Sequence, residues 1–283
     1  MSLRPERVAS FAQLAMLLEL SSTPKPGNVD RCHDFPDIKF SHFLASSALC
    51  YPVFCRAARG ESGLGSLILE AVTSWRQFGL PGNTHFGEVT LLVPLVRAAG
   101  MSEDLRSAVA QALRASNVQD SLDFYQAFAM AGARVSEVEE LSLSDSRAAD
   151  EIRQKGLRLL DLMRRSEGHD QIAREWAHGY RRCFDLAEAL EKNVASHGLN
   201  EGVVLTFLEA LADEPDGLIT SKHGPGLARQ VQEMARSALK SSDCFEAAEE
   251  MDRTMLERDI NPGSTADLLA AALFISLWRG LRF

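Results

Sequence analysis

The chain has 283 residues, of which 46% are hydrophobic and 24% charged, proportions typical of globular proteins that exclude a disordered or fibrous chain. Its 39 acidic and 30 basic residues leave a net charge of −9 with no long basic tract, which argues against binding to nucleic-acid backbones. At about 150 residues per domain the length allows one large domain or two small ones, and we predict a single domain over residues 1–283.

The cysteines and the apolar runs indicate the cellular compartment in which the protein is expected. The five cysteines are odd in number and form no C-x-x-C pair, so we expect reduced thiols in a cytoplasmic protein. The longest apolar runs, 89–96 and 268–278, are shorter than the ~20 residues that span a membrane. The N-terminal segment is interrupted by Gln13 and Glu19, unlike a secretion signal. We therefore expect no membrane role.

Apolar residues recur with helical spacing along nearly the whole chain, whereas alternating strand patterns are scarce. The nearest strand candidate, 89–96, contains Pro94, which disfavours a central strand. The apolar run 268–278 predicts a central C-terminal helix. The other predicted helices are 7–20, 42–58, 67–78, 103–115, 122–133, 151–165, 170–192, 201–212, 226–239 and 243–258. The sequence thus predicts an all-α, single-domain bundle of about ten helices, with its active site in loops between them.

Four loops combine turn-forming residues with polar side chains, at 21–34, 80–88, 213–226 and 261–267, and loops on a rigid scaffold often carry function. The first loop follows a predicted helix that its two prolines cannot continue, and Gly27 can adopt a positive φ.

This first loop reads S-S-T-P-K-P-G-N-V-D-R and presents Lys25, Asn28, Asp30 and Arg31 within seven residues. Two cations beside a glycine and an aspartate suit a phosphate-bearing ligand, with lysine as a point charge and arginine as a fork. The alternative is a helix stop with solvated charges.

The second loop, P-G-N-T-H-F-G-E, opens an apolar segment. Asn83 or Thr84 is the predicted N-cap, and the backbone N–H groups there would suit an anion. His85 and Glu88 are three residues apart on one helical face, where they could ligate a metal or act as acid and base. The alternative is a cap followed by a surface histidine.

The third and fourth loops contain further charged groups. Asp213, Glu214 and Asp216 precede a Lys222-His223-Gly turn, and carboxylates so close together favour Mg²⁺ held with nucleotide phosphates, unless the loop is simply solvated. The fourth loop contains N-P-G-S-T-A-D, in which Ser264 and Asp267 fit a capping box. Its Gly263-Ser264 turn could also bind an anion, with Asp267 facing it.

In order, S-x-T-P-K-P-G-x-V-D-R, N-T-H-x-G, the acidic third loop and N-P-G-S-T-A-D-L-L-A resemble the motifs of the triphosphoribosyl-dephospho-CoA synthase family. The resemblance runs from about residue 15 to the C-terminus. It implies an all-α enzyme that transfers the 5-triphosphoribosyl group of ATP to the 2′-hydroxyl of 3′-dephospho-CoA and releases adenine. The product in that family is a prosthetic-group precursor for acyl carrier subunits.

The resemblance also implies roles for the loop residues. Lys25, Arg31 and Lys222 would hold phosphates together with Mg²⁺, and His85 would be an acid toward adenine. The expected catalytic residues are His85, Asp30, Glu88 and Asp267. The expected metal ligands are Asp30, Glu88, Asp213 and Asp216. The expected substrate-binding residues are Lys25, Gly27, Asn28, Arg31, Asn83, Thr84, Lys222, His223, Gly263 and Ser264.

Some residues depart from the family pattern. Phe86 stands where a basic residue is common, Asn28 where an aliphatic one is usual, and the third loop matches only loosely. These departures resemble a divergent branch from archaea and one-carbon-metabolising bacteria. For that branch the alternative is a related ribosyl or nucleotide transfer in the biosynthesis of a pterin or furan one-carbon carrier.

Two other function classes remain open at this point. A metal-dependent helical-bundle hydrolase or oxidase would use His85 and Glu88 with the Glu175-x-x-His178 motif. A non-catalytic nucleotide-binding protein would bind ATP without consuming it. We expect small-molecule substrates and a homodimer.

Overall fold

The computed structural model describes residues 4–35, 38–80, 83–132 and 148–283, and in these ranges it confirms the all-α class. The extended contact there is an isolated bridge between Asp30 and His33. The helices are α1 (Pro5–Ser21), α2 (Phe40–Ala58), α3 (Leu64–Gln77), α4 (Phe86–Met101), α5 (Leu105–Arg114), α6 (Val118–Ala131), α7 (Ala148–Lys155), α8 (Leu159–Ser166), α9 (Gln171–His178), α10 (Arg181–His197), α11 (Leu199–Asp213), α12 (Gly217–His223), α13 (Pro225–Leu239), α14 (Cys244–Glu257) and α15 (Gly263–Arg279).

The described ranges contain fifteen helices rather than about ten. The predicted helix 151–165 is divided at Gly156, and the predicted helix 170–192 at Gly179 and Tyr180, all three of which have positive φ. A left-handed residue ends an α-helix because its carbonyl leaves the helical direction. The third loop contains the short helix α12, and segment 89–96 lies within helix α4.

The helices group into two compact units. Unit 1 comprises Met1–Leu14 and His42–Arg181, and unit 2 comprises Ala15–Ser41 and Arg182–Phe283. The predicted single bundle is therefore not matched in that form, and a single domain stays a prediction.

Unit 1 is built around α4, in which Val89, Leu92 and Val96 are fully buried. Pro94 lies inside this helix, and a proline there cannot donate to the carbonyl four residues earlier, that of Thr90. The indole Nε1 of Trp176 in α9 donates to that carbonyl at 3.1 Å. The next carbonyl, of Leu91, accepts from the Tyr180 hydroxyl at 2.9 Å. Two aromatic donors thus satisfy backbone acceptors around the proline, as buried carbonyls require.

Unit 2 is built around α15, which confirms the predicted central C-terminal helix. Its residues from Leu268 to Ile275 are fully buried, and the hydroxyl of Ser276 donates to the carbonyl of Ala187 in α10. Helices α11 and α12 also pack against α15, while α13 packs against α11, α12 and α14.

Two predictions about the chain as a whole can be compared with the structure. All five cysteines are free thiols, in agreement with the expected reduced state. In the ranges described, no helix combines the length and apolarity that crossing a membrane would require.

We predict that Trp176→Phe lowers the free energy of unfolding by about 2–3 kcal/mol, because the buried carbonyl of Thr90 loses its donor. In a Pro94→Ala background the cost should fall by about 1 kcal/mol, because residue 94 regains an N–H that can donate to Thr90. Urea unfolding of the double-mutant cycle measures the coupling.

The matched control is Trp75→Phe, since the Trp75 indole is equally buried but donates to Ser46 in α2. Its cost should be the same whether position 94 carries the native proline or the alanine. Equal costs of Trp176→Phe in the two backgrounds, within about 0.5 kcal/mol, would refute the assigned role of the indole.

Candidate active site

The first loop is fixed to helix α14 in unit 2. The N–H of Gly27 donates to Oδ1 of Asp252 at 2.8 Å. Gly27 has a φ of +74°, and a Cβ there would lie 2.2 Å from the carbonyl oxygen of Ile260. Only glycine fits both the left-handed conformation and this close approach. The predicted importance of Gly27 therefore has a structural cause, and its contact with substrate stays a prediction.

Lys25 is placed differently from the prediction. Its side chain is fully buried and pairs with the carboxylate of Glu19 in α1. Burial raises the pKa of Glu19, and the contact with Lys25 lowers it. An ammonium that is enclosed and neutralised in this way is not presented to solvent, so the structure gives no support to Lys25 as a point charge on a phosphate.

Asn28 and Asp30 form the polar part of the first loop. Asp30 is fully buried and Asn28 is nearly so. Oδ1 of Asp30 accepts from the backbone N–H groups of Cys32 at 2.7 Å and His33 at 3.1 Å. Its Oδ2, like Nδ2 of Asn28, has no hydrogen-bond partner in the described part of the chain. Buried polar atoms are rarely left unpaired, so these two atoms mark a candidate functional position.

The same loop contains a histidine that the sequence analysis did not select. Nδ1 of His33 lies 3.3 Å from Oδ2 of Asp252 and 3.5 Å from Oδ1 of Asp30. Burial raises the pKa of Asp252, while the Gly27 N–H and His33 lower it. Asp30 could be selected from the sequence because it lies three residues after Gly27 in a polar turn. Asp252 could not, because it is one of many acidic residues in α14 and no local pattern distinguishes it.

Arg31 lies on the surface of the first loop. Its side chain is exposed, and its Nη1 donates to the carbonyl of Ser21 and to Oδ1 of Asn200. Asn200 in turn contacts both backbone groups of Thr23. Arg31 thus stays a prediction as a phosphate ligand, and its exposure is compatible with that role.

In unit 1 the second loop leads into α4, but neither predicted cap is used. The N-cap is His85, without a side-chain capping bond, so the N-cap prediction for Asn83 and Thr84 is wrong. The cause is that the helix begins only at Phe86, whose ring is buried and packs against Phe124 and Phe128 of α6.

The predicted His85 and Glu88 pair does come together. His85 is fully buried, and its Nε2 lies 3.6 Å from Oε1 of the buried Glu88. Its Nδ1 is 2.6 Å from the hydroxyl of Ser46 in α2, and its ring meets that of Phe43 edge-on, with centroids 4.7 Å apart. The alternative of a surface histidine is therefore wrong, and the two side chains lie close together inside unit 1.

Asp216, in the third loop, caps two helices of unit 2. Its Oδ1 accepts from the N–H of Ile219 in α12 at 2.9 Å. Its Oδ2 accepts from the N–H and the hydroxyl of Thr265 in α15, both at 2.8 Å. Burial raises the pKa of Asp216 and these hydrogen bonds lower it. The fully buried carboxylate thus has a structural role, as an N-cap does.

This arrangement corrects the expectation for the fourth loop. Helix α15 begins at Gly263 after Pro262, with no side-chain cap of its own, so the Ser264–Asp267 capping box is wrong. The carboxylate of Asp216 already occupies the helix end, and its negative charge works against a second anion at Gly263 and Ser264. Asp267 is half-buried on α15.

The remaining third-loop residues lie at the surface. The Asp213 side chain is 79% exposed, with Arg182 3.9 Å away, and Lys222 and His223 are exposed in the last turn of α12. Across the ranges described, no three His, Cys, Asp or Glu side chains are grouped so as to hold a metal ion. The metal ligands expected at Asp30, Glu88, Asp213 and Asp216 therefore find no support.

The helical-bundle metal site fails on the same ground. Glu175 is buried, but the side chain of His178 is 58% exposed and its Nε2 lies 3.1 Å from Glu167. The spacing of the Glu-x-x-His motif would allow both side chains to lie on one face of a helix. In the structure one is buried and the other is exposed, so they do not form a common site.

Comparison with known proteins decides the family. The model of the ATP:dephospho-CoA triphosphoribosyl transferase family (CitG) matches residues 5–282. The chain belongs to this family. The predicted resemblance and the transferase class are thereby confirmed, and neither the hydrolase nor the non-catalytic alternative is favoured.

Individual members of the family show the same relationship. A relative from Stutzerimonas stutzeri (strain A1501), described as a probable 2-(5″-triphosphoribosyl)-3′-dephosphocoenzyme-A synthase, is 28% identical, and the match covers 95% of this chain and 91% of the relative. One of the same description from Vibrio cholerae (strain M66-2) is 24% identical over 96% of this chain and 88% of the relative. A crystal structure from Archaeoglobus fulgidus, described as that of a putative triphosphoribosyl-dephospho-CoA synthase, is 29% identical with a TM-score of 0.71, and the match covers 84% of this chain and 100% of that one.

We predict that Lys25→Met lowers the free energy of unfolding by about 3–5 kcal/mol, because it leaves Glu19 charged, buried and unpaired. The double variant Glu19→Leu/Lys25→Met should recover most of this loss, because no uncompensated charge remains. Urea unfolding measures both values.

The activity of the double variant separates the two roles of Lys25. If the lysine is structural, the refolded double variant binds ATP as the unmodified protein does, which calorimetry measures. A stable double variant that no longer binds ATP would restore Lys25 as a phosphate ligand.

Proposed function

We propose that this chain transfers the 5-triphosphoribosyl group of ATP to the 2′-hydroxyl of 3′-dephospho-CoA, with release of adenine. The family match over residues 5–282 supports the reaction class. The observation that carries the proposal within the structure is the pair of buried, unpartnered polar atoms in the first family motif, Nδ2 of Asn28 and Oδ2 of Asp30. Such atoms gain from a polar substrate group that completes their hydrogen bonds.

The chemistry explains why a buried carboxylate is useful. Cleavage of the N-glycosidic bond develops positive charge on C1 of the ribose, as in glycoside hydrolysis. A carboxylate in a low-dielectric environment stabilises such a charge more than water does. Asp30 fits this role, since two backbone N–H groups fix its Oδ1 while its Oδ2 has no protein partner among the described residues.

The phosphates require cations at the surface. Arg31, Lys222 and His223 are exposed in unit 2, and we assign the triphosphate and the phosphates of dephospho-CoA to these groups. Magnesium would accompany the substrate as Mg·ATP, where one or two carboxylates together with the phosphates suffice to hold it.

His85 and Glu88 supply the acid–base chemistry of unit 1. Oε1 of Glu88 lies 3.6 Å from Nε2, and the Ser46 hydroxyl at Nδ1 fixes the ring orientation. We assign to His85 the transfer of a proton to adenine, a role that histidine often has in enzymes. Asp267 remains a candidate among the carboxylates of unit 2.

The compartment and assembly belong to the same proposal. Five free thiols support a reducing compartment such as the cytoplasm. The homodimer expected from sequence stays a prediction.

The first experiment measures adenine released from Mg·ATP with and without 3′-dephospho-CoA, with the second product identified by mass spectrometry. We expect adenine and triphosphoribosyl-dephospho-CoA only when both substrates are present. ATP binding without adenine release would reject this acceptor and favour a related transfer to another hydroxyl compound.

We predict that Asp30→Asn lowers kcat by about 10²–10³-fold, because the amide removes the negative charge near C1. The fold should persist, since the amide oxygen can still accept from Cys32 and His33. Steady-state adenine release measures kcat, and the matched control is Asp150→Asn, whose side chain is 71% exposed in unit 1. Full activity of Asp30→Asn would exclude a charge-stabilising role.

A further inference from the structure

We propose that His33 is the general base that takes the proton of the acceptor hydroxyl, and that Asp252 is the residue that positions it. This inference rests on the proposed transfer, which needs a base but does not identify one. The carboxylates expected from sequence to be catalytic are Asp30, Glu88 and Asp267, and His33 and Asp252 are not among the expected site residues.

The geometry at Nδ1 carries the inference. This nitrogen is buried and forms no hydrogen bond with the described residues, but two carboxylate oxygens lie near it, Oδ2 of Asp252 at 3.3 Å and Oδ1 of Asp30 at 3.5 Å. Both carboxylates are themselves held by backbone N–H groups, that of Gly27 on Asp252 and those of Cys32 and His33 on Asp30. The negative charge of two nearby carboxylates favours a proton on Nδ1, the ring nitrogen that faces them.

The opposite side of the ring is available for substrate. The side chain of His33 is 38% exposed, and because Nδ1 is buried this exposure belongs to the rest of the side chain. With the proton on Nδ1, Nε2 carries the lone pair. A carboxylate that fixes the tautomer of a histidine in this way leaves the other nitrogen as a base.

Three of the residues expected from sequence to be catalytic are less exposed to an incoming hydroxyl than His33 is. The side chains of His85 and Glu88 are 0% and 4% exposed, and that of Asp30 is fully buried.

Atoms and electrons balance in this step. Nε2 of His33 takes the proton of the 2′-hydroxyl as its oxygen forms a bond to C1 of the ribose. The bond from C1 to the adenine nitrogen breaks, and its electron pair leaves with adenine. Adenine gains a proton and the imidazolium loses one to solvent, so the net reaction moves one proton from the hydroxyl to adenine.

The first test is His33→Asn. The Asn amide can still donate toward Asp252 and Asp30 from about the place of Nδ1, but it has no group at Nε2. We expect kcat to fall by about 10²–10⁴-fold, the usual contribution of a general base, with KM and the urea midpoint little changed. The matched control His197→Asn, at an exposed histidine of α10, should keep full activity.

The second test addresses Asp252. In Asp252→Asn the amide oxygen can still accept from Gly27 while its NH₂ faces His33, which should move the ring proton to Nε2. In ¹⁵N-histidine NMR spectra, with His33 assigned by its absence in His33→Asn, we expect Nδ1–H in the unmodified protein and Nε2–H in Asp252→Asn. The kcat of Asp252→Asn should fall at least about tenfold, as for other tautomer-fixing partners.

Each outcome decides one claim. A His33→Asn variant with kcat within about threefold of the unmodified value would overturn the base role, since the expected loss is far larger. An unchanged tautomer in Asp252→Asn would overturn the positioning role. If the unmodified chain releases no adenine, the proposed function fails and the base role with it, while the NMR result still decides whether Asp252 orients His33.

Discussion

The buried carboxylate of Asp252 is the contact on which the first loop of unit 2 depends. One oxygen holds the N–H of Gly27 and the other faces His33, so a single side chain of α14 fixes both ends of the polar stretch. A buried charge is tolerated only where hydrogen bonds compensate it, and here the loop supplies them. The loop backbone and the carboxylate therefore stabilise each other, and Asn28 and Asp30 between the two contacts have little freedom.

Asp216 stabilises another part of unit 2 in a similar way. Helix α15 starts after a proline and has no side-chain cap of its own. The acceptor for the N–H of Thr265 is the carboxylate of Asp216, 49 positions earlier in the chain. The carboxylates of the third loop thus divide by environment. The buried Asp216 joins two helices, and the exposed Asp213 faces solvent and Arg182. Side chains of one chemical type in one short motif therefore have different roles because their burial differs.

The helical class and the central C-terminal helix were predictable because apolar periodicity is a local property. The helix count was not, because left-handed residues such as Tyr180 break a helix without any sequence pattern that forbids continuation. The first loop was located correctly, whereas the third loop contains helix α12 and the fourth overlaps the start of α15. His85 and Glu88 lie close together, as their helical spacing predicted. The partners of Lys25, Gly27 and Asp216 were missed. Glu19 gave a signal, as an acidic residue in an apolar stretch, but Asp252 lies in a helix rich in acids and becomes special only through tertiary contact.

Pro94 affects how precisely helix α4 is positioned within unit 1. Apolar packing is nondirectional, so a helix held by apolar contacts alone can rotate or slide by a fraction of a turn at small cost. The carbonyls of Thr90 and Leu91 instead receive directional bonds from Trp176 and Tyr180, which fix the rotation and the axial position of α4 at once. His85 and Glu88 stand at the start of this helix, so their positions depend on its register. A residue usually regarded as a helix defect thus helps to fix the positions of two buried polar side chains.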